Sequence, residues 1–202
     1  GDKGEERGCD RERNREIMNT RIQWLVILIF QTLCFAYNPD YVITADAAII
    51  EPIIDGHIIN DPAWQSLLEV NTFIQKSPDE GEAVTEKTVV KVMYSTEVLY
   101  IAAVCYDDSP EKIVIIDTRR DAPLNNTDSF MFILDTFQDQ QNGYVFGTNA
   151  GGIEYDAQVS KGGEGMSIST RRQSVGTGDA YNINWDAVWK VQTNIGDYGW
   201  SA

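Results

Sequence analysis

The stretch Thr85–Tyr106 reads TEKTVVKVMYSTEVLYIAAVCY, and it sets the fold class. Its first part, Thr85 to Tyr94, alternates in part between polar and apolar residues and is rich in β-branched side chains, which suits a half-buried strand. Ser95, Thr96 and Glu97 form a turn signal. Val98 to Tyr106 is then a continuous apolar run, the pattern of a central strand covered on both faces. Asp107-Asp108-Ser109-Pro110 closes it. Upstream, Ile53-Ile54 meets the tight-turn pair Asp55-Gly56. Asp61 and Pro62 are placed as N-cap and first residue of a helical turn through Trp64. Phe73–Gln75 is a short strand candidate, and Ser77–Gly81 a loop. Downstream, Ser129–Asp135, Tyr144–Asn149, Ile153–Ser160 and Trp185–Thr193 are further strands, and Ile195–Ala202 opens another hairpin. Asn142-Gly143 suits a hairpin turn with positive φ. Residues 161–180 are Gly- and Ser-rich and form the longest loop. Short strands at this spacing, with a single helical turn, predict an all-β antiparallel sandwich.

Composition narrows the function. The 202 residues are 43% apolar and 23% charged, enough for one sizeable core or two small ones. Acidic residues outnumber basic ones, 31 to 16, for a net charge of −15. Such a chain repels phosphate backbones and anionic bilayers, which excludes nucleic acid as a partner class. His57 is the only histidine, so multi-histidine zinc and iron sites are excluded. Cys9, Cys34 and Cys105 show neither CxxC spacing nor a disulfide pattern. No GxSxG, Walker A or HExxH motif occurs.

The N-terminal part has a different character. Residues 1–17 are dense in charge and lack hydrophobic periodicity. They read as an upstream, unstructured extension. From Met18, Arg21 precedes an apolar segment that ends at Cys34-Phe35-Ala36, the layout of a secretory signal peptide over 18–36. Its apolar run is shorter than the roughly 20 residues of a membrane span. The expected domain is then 37–202, exported to the periplasm, cell envelope or outer membrane. It would have Cys105 as its one thiol.

An ordered set of motifs carries a family resemblance from about Ile53 to the last residue. It comprises Ile54–Gly56, Asp61–Trp64, Gly81 with Ala83, Thr85 and Glu86, and Val98–Ala102 with Tyr106-Asp107. It continues through Thr118–Asp121, Asp128–Phe130, Leu134–Phe137, Asn142–Phe146, Asn149–Gly152, Tyr155-Asp156, Trp185–Trp189 and Gly199-Trp200. In these the chain resembles the family 9 carbohydrate-binding modules of the DOMON-like group. The closer likeness is to the version at the N-terminus of bacterial envelope proteins that continue into a β-barrel region. The resemblance implies an immunoglobulin-like or jelly-roll sandwich and binding of a poly- or oligosaccharide. It also implies a role in carbohydrate metabolism and a partner in the chain's own region beyond residue 202. Structural calcium and O-glycosyl hydrolase associations also occur in the group.

Four sets of residues are candidates for a site. Sugars stack on flat aromatic rings. Trp64 is read as core. Trp185 and Trp189, four apart, share one face of a strand and are either core or platform. Trp200 follows a turn and is read as open. Tyr144 and Tyr181 are further aromatic candidates. Among polar groups, Arg119, Arg120, Asp128 and Asn149 complete the expected ligand-binding set with Trp185. The competing reading has Arg119 or Arg120 pairing with Asp128 or Asp135 to fasten a sheet edge. Asp135 and Asp139, with Asn142, offer oxygen ligands for calcium, or are solvated loop acids. For catalysis, Asp128 with Asp156 is the best available carboxylate pair, though the sequence gives it no specific support. The expectation is a non-catalytic carbohydrate-binding module. The alternatives are a domain docking on its own β-barrel and a fragment of a hydrolase acting on O-glycosyl compounds.

Overall fold

The apolar run of the opening stretch becomes the middle strand of a five-stranded sheet. A computed structural model describes residues 44–161 and 180–202. The expected extension 1–17, the signal segment 18–36 and most of the long loop lie outside the described residues. Strand β1 is Asp46–Ala47, β2 is Thr88–Tyr94 and β3 is Leu99–Tyr106. Near the end of the chain come β8, Asn194–Gly196, and β9, Gly199–Ser201. Their order across the first sheet is β1-β2-β3-β9-β8. All pairs are antiparallel except β1 with β2. Ala102, Ala103 and Val104 are buried in succession, so the middle of β3 is covered on both faces as expected.

One face of this sheet is closed by the helical turn α1, Pro62–Gln65. Asp61 caps it through its carboxylate, which accepts from the Ala63 N–H at 2.9 Å. Trp64 then drops onto Val89, Met93, Ala102 and Val104, with Ile58 and Ala63 beside it. Lys91 reaches from the same face to donate to the Trp64 carbonyl at 3.0 Å, and pairs with Glu69 at 3.2 Å.

The second sheet has the order β4-β5-β6-β7, all antiparallel. Its strands are β4, Ser129–Leu134; β5, Gly143–Asn149; β6, Tyr155–Val159; and β7, Tyr181–Asn182. One face carries Val145, Ala157, Tyr155 and Val159, covered by Ala122, Leu124 and Ile153. The fold is therefore all-β, with two antiparallel-rich sheets in a sandwich-like class. Among the described residues, buried apolar side chains gather in two clusters, one at each sheet.

Four local expectations are corrected. Trp185–Thr193 alternates in burial like a strand but pairs with none among the described residues; Trp185 and Trp189 fasten it to the sheet through side chains instead. Phe73–Gln75 contributes only the bridge Ile74–Ala83. In the β4–β5 hairpin the positive φ values fall on Gln138 and Gln140, not on Asn142-Gly143. There the Asp135 carboxylate accepts from the Asp139 and Gln140 N–H groups, and Asp139 from those of Gln141 and Asn142. These side-chain acceptors hold the turn that Asn-Gly was expected to make. Trp200, expected to be open, is 3% exposed because β9 pairs it with Cys105 inside the first sheet.

Candidate functional site

The other face of the second sheet is aromatic, and strand parity explains why. Residues directly opposite in an antiparallel pair share a face. Phe132 faces Phe146, Leu134 faces Tyr144, and Phe146 in turn faces Asp156 on β6. Phe130, two residues from Phe132, joins the same side. The rings meet: Phe132 stacks on Phe146 at 5.5 Å between centroids, and Phe130 lies 6.0 Å from Phe132.

The extended segment after β7 lies over this face. Trp185 stacks on Tyr144 at 4.5 Å and turns an edge to Phe146 at 6.0 Å. Trp189 meets Phe146 edge-on at 5.3 Å. Phe137, at the hairpin, continues the row 6.5 Å from Tyr144 and is 61% exposed. Trp185, Tyr144 and Trp189 are half-buried.

Asp156 joins the aromatic row to a charged cluster. It is 1% exposed, and its Oδ2 accepts from Arg120 Nη2 at 2.8 Å, from the Trp189 indole N–H at 2.8 Å and from the Ala187 N–H at 3.3 Å. Its Oδ1 is buried and has no hydrogen-bond partner among the described residues. Arg120 also pairs with Glu154 at 2.6 Å, with Asp186, and with Asp121 at 3.5 Å. One guanidinium thus sits among four carboxylates. Desolvation works against its charge, but Asp156, Asp186, Asp121 and Glu154 hold its pKa above the ordinary arginine value. Asp186 is the outermost member, its side chain 76% exposed.

Of the five expected ligand-binding residues, the structure brings only Arg120 and Trp185 to this face. Arg119 turns to solvent and grips Asp117, whose carboxyl that hydrogen bond holds down to about 2. Neither arginine takes Asp128 or Asp135 as partner. Asp128 accepts from the Val114 N–H at 2.7 Å and clasps the incoming loop. Asn149 is 1% exposed and already engaged: its amide donates to the Asp117 carbonyl, and its oxygen accepts from Gly151. Asp128 and Asp156 serve separate hydrogen-bond networks. Asp135 and Asp139 hold turn amides, and Asp139 also accepts from the Asn142 side chain. Among the described residues no group of three His, Cys, Asp or Glu side chains is disposed to hold a metal ion.

Glu154, Asp186 and Phe137 were not among the sequence candidates. Phe137 and Asp186 stood only in the family motifs, and pairing β4 with β5 about the hairpin would have found Phe137. The two acids come from two separate chain segments that converge on Arg120, which no spacing announces. No family model, curated protein or solved structure matches the chain.

Proposed function

We propose that this protein is a non-catalytic carbohydrate-binding module and that it takes its glycan on the aromatic face of the second sheet. The observation that carries this is the row Phe137–Tyr144–Trp185, running past the half-open Arg120 cluster. Stacked rings present flat apolar area to the C–H face of a pyranose, and neighbouring carboxylates accept from its hydroxyls. Arg120, committed to its carboxylates, fixes where those acceptors stand. The signal-like segment 18–36 supports an exported location, as part of a larger envelope protein in carbohydrate metabolism.

Affinity electrophoresis of the full chain through gels containing plant, fungal and bacterial polysaccharides tests this. Retardation by a defined glycan is expected, weakened at least about tenfold in Trp185→Ala and in the exposed Phe137→Ala. A folded protein that no glycan retards, with and without calcium, would overturn the reading.

A docking domain is the second reading. Tyr94, Leu99 and Ile195 expose apolar surface on the first sheet, and Met131 and Ile133 on the second. A folded chain without glycan affinity would favour it.

A further inference from the structure

Strand β3 lies in the middle of the first sheet, yet on the β9 side only part of its length is paired. There its partners run from Tyr106 to Val104, and Ala103 then exchanges both backbone hydrogen bonds with Ala202, at 2.8 and 2.9 Å. Backbone direction alternates along a strand, so Ile101 and Leu99 turn their N–H and C=O groups to the same side as Ala103. No described residue meets them there. This free edge carries no charge, no proline and no bulge, the devices that usually blunt one. A second strand-like segment lines up across it. β9 sets Asn194 level with Val104 through Ser201, and Ile195 level with Cys105 through Trp200. The same register carried onward sets Val191 level with Ile101, and Trp189 level with Leu99. Residues 185–193 alternate in burial but join no strand among the described residues, and Val188 is fully exposed. The rows Val92–Ile101 and Tyr94–Leu99 therefore lack their next residue before Val191 and Trp189. Tyr94 and Leu99 are each 47% exposed at the end of such a row.

We propose that the free part of β3 takes up an extended segment of another polypeptide as an added strand, antiparallel to β3 and in line with β9. The segment carries apolar residues two apart, one beside Ile101 and the next beside Leu99, since residues opposite each other share a face. Its N–H groups at those positions donate to the Ile101 and Leu99 carbonyls. It is uncharged or basic. The net charge of −15 works against an acidic segment and against a second copy of this chain.

Amide hydrogen exchange of the full chain, followed by NMR, tests this. The probes are heptapeptides of the pattern Lys-x-Thr-x-Thr-x-Lys, with x as Val, Ile or Phe. In the free chain the Leu99 and Ile101 amides should exchange rapidly, and those of Tyr100 and Ala102, turned to β2, slowly. Titrating peptide to about 1 mM should slow Leu99 and Ile101 about tenfold for at least one of the three, as a Kd of about 100 µM requires. Methylating the backbone nitrogens of the x residues should abolish the slowing. Leu99→Lys, at a half-exposed side chain where the fold tolerates it, should weaken binding at least about fivefold. Peptides that leave both amides unchanged, or that slow them equally when N-methylated, overturn the proposal. So does slow exchange of both amides in the dilute free chain, because the edge is then already paired. Slowing that grows with protein concentration alone assigns the edge to a second copy and overturns the peptide partner.

Discussion

Asp156 joins the charged and aromatic halves of the candidate site. One of its oxygens takes the Arg120 guanidinium, the Trp189 indole and a backbone amide together. Removing its carboxylate leaves the Trp189 and Ala187 N–H groups without their acceptor and takes one of four partners from Arg120. Asp156→Ala is therefore expected to lower unfolding free energy by about 3 kcal/mol in urea titrations. Arg120 keeps its other carboxylates, so the loss should not exceed the usual range. A change below about 1 kcal/mol would show that the network is not coupled to folding. Cys105 supplies a pH test. Burial pushes its thiol up to about 11, while an unfolded cysteine ionises near about 8.5. Between those values the unfolded chain releases the proton and the folded chain holds it, so stability must fall as pH rises. The slope from about pH 8.5 to 10, read before tyrosine ionisation intrudes, should flatten in Cys105→Ala.

At the scale of elements, the hairpin of β8 and β9 is fixed to β3 by a close approach. Gly199 has φ +122, and a Cβ there would lie 2.2 Å from the Cys105 carbonyl. Gly199→Ala should cost more than about 2 kcal/mol and expose Trp200, seen as a red shift in its fluorescence. The helical turn α1 gives a milder test. Asp61→Ala removes a cap worth about 1 kcal/mol and should loosen Trp64 without abolishing the sheet. These elements also show what the sequence made legible. Strands β2 to β6, the Asp61 cap and the terminal hairpin follow from local periodicity and turn chemistry, which act over a few residues. The segment Trp185–Thr193 carries the periodicity of a strand, yet only tertiary pairing decides whether such a segment joins a sheet. Asp128 looked like a ligand group because it is polar and lies one short loop after the two arginines, and Asn149 stood in the ordered motif set. Their real partners are backbone groups up to 32 residues away, and no pattern in the sequence marks them. The aromatic face was half legible, since strand parity places Phe132, Tyr144 and Phe146 together, whereas the acids about Arg120 converge from distant loops.

For the whole molecule, the charge of −15 sets the response to salt. Self-repulsion opposes the compact state, and raising sodium chloride from about 10 to 150 mM shortens the Debye length from roughly 30 to 8 Å. The thermal midpoint should rise by about 2–4 °C, because screening the excess charge outweighs the weakening of a few exposed pairs such as Arg119–Asp117. The same charge disfavours anionic ligands everywhere on the surface, so a glycan must be won by stacking and directed hydrogen bonds at one face. The measurement that bears most directly on this is a calorimetric titration of the full chain with the oligosaccharide that retards it best. Trp185→Ala and Phe137→Ala would be run beside a Trp64→Phe control in the core of the first sheet. Saturable binding that both second-sheet variants weaken at least about tenfold, and that the control leaves within about twofold, is the expected result. Undiminished affinity in Trp185→Ala and Phe137→Ala, with the fold intact, would place glycan binding elsewhere and contradict a site on the aromatic face.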